Sequence, residues 1–256
     1  MESIRKTVFL FLLFFVAVSL AQAENDVGRL IARGDSAYTA MNNRRAAEFY
    51  TQAMRQDTSN YEAIWKLSRA YVDMGETLKR KDERKRFFKK AEELARKAIK
   101  LNPNGSKGHL TLSIALGRVA LDAGAKERVR LSKEIKSEVD KALKIDPNDD
   151  IAWHVLGRWN RKLATLSWIE KKFANMFLGG VPKDASVERA VECFQKAISL
   201  NPNYIHHYLE LGLTYEKLNK KDEAKKAYQK VLDLPVTHFM DKDYKAEARQ
   251  RLKKLS

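Results

Sequence analysis

Cysteine, proline and glycine are scarce in this chain, at 1, 5 and 11 of its 256 residues. A single thiol, Cys193, closes no intramolecular disulfide, so the fold must be held by its apolar core. Cys193 stands beside Phe194 in a helical stretch and reads as a packed side chain rather than a nucleophile. Few helix breakers, with 44% hydrophobic and 32% charged residues, suit a single extended helical domain. Catalytic signatures are missing as well. The histidines are His109, His154, His206, His207 and His238, with no metalloprotease pair and no zinc spacing to the cysteine. There is no glycine-rich phosphate loop and no nucleophile elbow. The expectation is a protein without catalytic residues, cofactor, metal or small-molecule substrate.

Acidic residues are outnumbered, 33 Asp and Glu against 49 Lys and Arg, for a formal net charge of +16. Such an excess points to an acidic partner, an anionic membrane or nucleic acid, or to a well-solvated exterior. Long apolar runs are absent except at the start. Arg5 and Lys6 precede an apolar run from Val8 to Leu20, broken only by Ser19, and Ala21-Gln22-Ala23 has the small-residue pattern of a signal-peptidase site. Residues 1–23 are therefore expected to be a signal peptide and 24–256 the mature protein, periplasmic or secreted. The run is shorter than the roughly 20 residues of a comfortable membrane span, which disfavours an uncleaved anchor. Removing the segment leaves 47 basic and 32 acidic residues, so the basic character belongs to the mature chain.

What the chain does have is repetition. Ala98-Ile-Lys-Leu-Asn-Pro-Asn104, Ala142-Leu-Lys-Ile-Asp-Pro-Asn148 and Ala197-Ile-Ser-Leu-Asn-Pro-Asn203 are one helix ending written three times. Proline cannot continue a helix and disfavours helical geometry in the residue before it. Around these endings run paired apolar stripes at i, i+3, i+4 and i+7. In 205–235 one helix carries Tyr208, Leu211, Gly212 and Tyr215 and the next carries Ala224, Tyr228 and Val231, with Pro235 following. This pattern resembles the tetratricopeptide repeat of 34 residues, here with its proline one residue early. It implies an all-α, right-handed superhelix of about five hairpins, at 27–60, 61–105, 106–149, 150–204 and 205–238, with a capping helix at 241–256.

Equivalent small residues, Ala53, Ala98, Ala142, Ala197 and Val231, are spaced by 45, 44, 55 and 34 residues. Three hairpins therefore hold additions between their two helices, most economically absorbed as longer helices. The absence of a breaker from Thr77 to Lys100 suggests unbroken helix there. The addition in the fourth hairpin includes 166–178, which holds Leu166, Trp168, Ile169, Phe173, Met176, Phe177 and Leu178 before a Gly-Gly-Val-Pro stop, and must be covered by the array, a partner or a membrane surface.

The run from Ala152 to Trp159, Leu166 to Lys172, the Gly-Gly-Val-Pro stop, and His207 to Gly212 through Leu234-Pro235 resemble the regulator of microtubule dynamics family, of which this would be a bacterial-type relative. That resemblance implies a non-enzymatic, protein-binding protein. Animal members of the family are associated with microtubules or with mitochondrial and endoplasmic membranes.

In tetratricopeptide arrays the first helix of each hairpin lines the concave face, through unit positions 2, 5, 9, 12 and 13. Those positions select Trp65, Arg69, Lys107, Arg118, His154, Arg158 and His206 as partner-binding residues, a mostly basic lining for an acidic protein or peptide, with Trp65 as apolar anchor. His206 and His207, about 100 degrees apart on a helix, are expected to divide into a groove residue and a packed one. The alternative is an envelope-associated protein that holds anionic lipid or polymer through its charge and the 166–178 segment. Nucleic acid is disfavoured. The basic run from Lys79 to Lys90 is interrupted by Asp82 and Glu83, and its Phe87 and Phe88 fit an inner helical stripe.

Overall fold

The computed structural model describes residues 26–177, 180 and 185–256, apart from the side chains at 168–170, 173 and 177. The expected signal peptide lies outside this range, as do the last residue of the 166–178 segment and most of its large apolar side chains. The described residues form helices α1 (26–39), α2 (Asn43–Gln56), α3 (Tyr61–Thr77), α4 (Lys81–Leu101), α5 (Ser106–Leu121), α6 (Ala125–Ile145), α7 (Asp150–Ala164), α8 (Trp168–Phe177), α9 (Val187–Leu200), α10 (Ile205–Lys217), α11 (Lys221–Asp233) and α12 (Asp241–Leu255). Antiparallel pairs α3/α4, α5/α6, α7/α9 and α10/α11 each stack on the next, and α12 closes the array on α11 and α10. This is the tetratricopeptide-like helical superhelix. Among the described residues no helix is long and apolar enough to cross a membrane.

The repeated endings do what their chemistry dictates. Asn102, Asp146 and Asn201 leave helical geometry, while their backbone N–H groups still donate to Ala98, Ala142 and Ala197. Asn102 and Asp146 then accept through their side chains from the N–H two residues on, as Asp57 does from Ser59. The next helix opens at once, with Asn60 capping Ala63 and Asp149 capping Ala152.

Within a hairpin the two helices meet where a small residue faces an aromatic ring. Tyr50 lies on Gly34, Phe194 on Gly157 and Tyr228 on Gly212, and a Cβ added at Gly212 would stand 2.5 Å from Tyr228 Cε1. In the second hairpin Ser68 takes the glycine's position and donates to the Ala91 carbonyl, while Phe88 packs further along, on Gly75. Buried alanines at 53, 98, 142 and 197, fully inaccessible to solvent, let neighbouring backbones approach.

The additions to the second and third hairpins are helical. α4 and α6 run 21 residues each, against 13 in α11. The helix is interrupted, however, where unbroken helix was expected: α3 stops at Thr77, residues 78–80 turn, and α4 starts at Lys81. No proline or glycine causes this. An antiparallel partner must reverse direction somewhere, and packing of Phe88 on Gly75 sets the place. α8 rests on α6, with Ala174 buried and Met176 63% exposed.

Candidate partner-binding groove

The first helices of the hairpins line a concave cavity of about 730 Å³. Its apolar lining comes chiefly from α5, α6 and α7, through Ile114, Leu121, Val129, Ile135, Val155 and Leu163. Tyr38 of α1, Arg69, Asp73 and Glu76 of α3, Tyr204 before α10, His206, His238 and Tyr244 of α12 supply charge and aromatic rings, joined by Arg118, His154 and Arg158. Five of the seven residues selected from the sequence thus share one cavity. Trp65 and Lys107 do not reach it. Trp65 lies one helical turn away, 5.3 Å from the Arg69 guanidinium. Lys107 sits at the start of α5 and pairs with buried Asp149 at 2.6 Å, on the edge formed by the Asx turns.

The expected basic lining is balanced by carboxylates, of which the position rule selects Asp73 and passes over Glu76 and Glu210. Glu210 on α10 is buried and paired with Arg161 and, at 3.2 Å, with Arg158, while His206 Nε2 lies 3.3 Å away. Burial alone would raise the Glu210 pKa, but the two guanidinium groups prevail and hold it well below the carboxylate range. Arg118 pairs with Glu76. Tyr38 donates to Asp73 at 2.7 Å, yet burial, with Glu76 adding to it, pushes Asp73 up to about 7. Glu210 stands four residues after His206 on the same helical face, and an acid inside the apolar run of α10 was the available signal.

Arg69 is different. Its guanidinium lies 3.8 Å over the Tyr38 ring and among the described residues it forms no ion pair; its buried Nε, like that of Arg118, has no hydrogen-bond partner.

Behind the wall, Asp150 Oδ2 meets His207 Nε2 at 2.9 Å, and His207 Nδ1 meets His154 Nδ1 at 3.0 Å. His207 thus donates through Nε2 to the Asp150 carboxylate, and a single proton bridges the two imidazole Nδ1 atoms. His207 is fully buried and His206 lines the groove, stacked on Tyr244 with ring centroids 4.2 Å apart. Burial pushes His206 down to about 4 and His154 well below its ordinary value, so both are neutral at pH 7.

Ligand atoms of His154, His206 and Glu210 lie within 4.8 Å of one another, near enough to hold a metal ion. The carboxylate, though, is already committed to two guanidinium groups, which would repel a divalent cation. The cluster is better described as an ion-pair network. Cys193 is buried and its thiol is pushed up to about 11 by burial, which suits packing and not nucleophilic chemistry.

Residues 30–256 match the family model described as regulator of microtubule dynamics protein 1-3. Regulator of microtubule dynamics protein 1 of Bos taurus is 28% identical over 94% of this chain and 76% of that protein. Protein 3 of Rattus norvegicus is 32% identical over 69% of this chain, and protein 1 of Pongo abelii is 30% identical over 78%. The chain spans only 38% of the rat protein and 64% of the orangutan one. Among solved structures, a thermophilic TPR protein of Thermus thermophilus superposes with a TM-score of 0.64 at 16% identity, covering 89% of this chain and 99% of its own. PilF of Pseudomonas aeruginosa gives 0.54 at 17% identity over 91% and 93%. At these identities the two show the fold alone.

Proposed function

The chain belongs to the regulator of microtubule dynamics protein 1-3 family, and on that premise we propose that it is a non-enzymatic binding scaffold whose groove holds an acidic, partly apolar segment of a protein partner. The observation that carries this reading is Arg69. Every other arginine singled out in the groove is matched by a carboxylate, whereas Arg69 forms no ion pair among the described residues and is held flat on Tyr38. A planar fork of donors fixed in a half-enclosed wall is suited to a carboxylate, and the apolar residues of α5 to α7 suit the side chains flanking it.

A fluorescein-labelled peptide alternating Glu with Leu, followed by anisotropy, is the probe. One charge-assisted contact contributes about 1.5–3 kcal/mol, so Arg69→Ala should weaken binding roughly tenfold to a hundredfold. Arg69→Lys should recover only part of it, because a point charge does not reproduce the fork. Equal affinity for wild type and Arg69→Ala, with helicity retained, would place the peptide elsewhere. The names of the relatives add one candidate partner, the microtubule. Co-pelleting of this chain with polymerised tubulin, lost in Arg69→Ala, would join the two readings. We also infer export through residues 1–23, and N-terminal sequencing that found Met1 retained would overturn it.

A further inference from the structure

In four of the five hairpins an aromatic ring fills the space between the two helices: Tyr50 on Gly34, Phe88 on Gly75, Phe194 on Gly157 and Tyr228 on Gly212. The third hairpin supplies no such ring, for 106–149 contains no phenylalanine, tyrosine or tryptophan. Tyr50, Phe194 and Tyr228 stand three residues before Ala53, Ala197 and Val231, and three before Ala142 stands Val139. Phe88 stands ten before Ala98, and ten before Ala142 stands Ser132. The facing helix nevertheless keeps the small residues on which a ring would lie. Ser113, Gly117 and Ala120 share one stripe of α5, and a Cβ built at Gly117 meets nothing within 4 Å, whereas one at Gly212 would stand 2.5 Å from Tyr228. Glycine inside a helix lowers its stability, and no packing contact among the described residues accounts for this one.

The groove cavity extends into that space. Gly117, Ala120 and Ser132 line it together with Ile135 and, from the next hairpin, Val155 and Trp159. The polar groups of this wall are satisfied within it: Ser113 donates to the Leu110 carbonyl at 2.7 Å, Ser132 to Val129 and the Trp159 indole to Ser132, both at 2.8 Å. What faces the cavity here is apolar surface against small residues, the setting in which each other hairpin holds a ring. A phenyl group suits it, since a phenol or an indole would bring a donor to a wall whose carbonyls are already used. Arg128 and Lys162 line the same cavity from exposed positions, so acids that flank the ring on one segment are matched in charge. Resting on the reading that the groove holds an acidic segment, we propose that this pocket takes a phenylalanine side chain of that segment, so that the partner supplies the ring the third hairpin lacks.

Two fluorescein-labelled peptides separate the ring from the acid: one alternates Glu with Ala, and the other is the same with a single central Phe in place of Ala. Burying the phenyl group should make the second bind the full chain about tenfold to a hundredfold more tightly, read by anisotropy. Gly117→Phe places a ring in the pocket from the protein's own side and should bring the two affinities together. Gly117→Ala, whose Cβ meets nothing, should keep them apart. Arg69→Ala should weaken both peptides by the same factor and leave their ratio unchanged. Should circular dichroism show Gly117→Phe unfolded, Ala120→Leu narrows the same pocket and takes its place. Equal binding of the two peptides by wild type, with Arg69→Ala still weakening both, would overturn the phenylalanine pocket and leave the carboxylate contact standing. A ratio lost in Gly117→Phe while Arg69→Ala changes neither affinity would keep the pocket and remove the carboxylate contact. A ratio that persists in the filled variant would put the ring elsewhere, and failure of the Phe peptide to bind wild type would end both readings.

Discussion

The cations of the groove and those of the exposed helix starts are the same residue types in opposite circumstances. In and behind the groove wall Arg118, Arg158 and Arg161 are met by Glu76 and Glu210, and a charge lost there leaves a buried partner short of a counter-ion. At the starts of α4 and α6, Lys85, Arg86 and Lys126 stand exposed, where water replaces whatever is removed. Net charge alone therefore says little about either. The difference is sharpest at Arg161, which also donates to the Glu210 backbone carbonyl at 3.2 Å. Breaking a buried pair costs about 3–5 kcal/mol, whereas replacing both members with apolar residues is often neutral. Arg161→Met should lower Tm by roughly 10 °C, at about 2–4 °C per kcal/mol for a domain of this size, and adding Glu210→Leu with Arg158→Met, so that no member of the network is left charged, should recover most of it. If the triple variant unfolds as early as the single one, the network is needed for more than charge balance.

The next prediction concerns protons. Asp73 is raised to about 7 when folded, against a carboxylate value near 4 in the unfolded chain. Between those values the folded state holds a proton that the unfolded state lacks, so this group's contribution to stability falls as pH rises from about 4 to 7. His154 and His206 act in the other direction. Their folded values are depressed, so the unfolded state takes up protons first and stability falls as pH drops below about 6.5. Asp73→Asn keeps an acceptor for Tyr38 and removes one of the two opposed slopes. Its stability relative to wild type should rise from pH 5 to pH 8, by up to about 1.4 kcal/mol per pH unit. Thermal melts whose difference stays constant over that range would mean that Asp73 titrates as an ordinary exposed carboxylate.

Local chemistry accounts for what could be seen in the sequence. The Asx-Pro-Asn endings and the spacing of Gly157 to Phe194 and Gly212 to Tyr228 mark hairpins because each is a short-range contact or a backbone restriction. The turn at 78–80 left no such trace, since direction there is set by Phe88 packing on Gly75 and not by a breaker. Groove residues on first helices, Arg69, Arg118, His154, Arg158 and His206, followed from unit position. Tyr38, Tyr204, His238 and Tyr244 did not, because they come from the array's ends and from a turn, and reach the cavity only through superhelical curvature. Lys107 shows the converse. Its position is right for the groove, but the carboxylate of Asp149, which caps the next hairpin, draws it to the edge.

The smallest effect expected is a gain in stability at the exposed helix starts. Lys126 stands in the first turn of α6 beside Glu127, and Lys221 opens α11 before Asp222 and Glu223; both lysines are exposed. Exchanging a cation for an acid in a first turn contributes about 0.3–1 kcal/mol each at low ionic strength. Lys126→Glu with Lys221→Glu should therefore raise Tm by a few degrees in low salt, with the gain shrinking as salt screens it. In the groove, by contrast, removing a cation lowers Tm. A fall in Tm would mean that the two lysines hold the helix starts through contacts of their own.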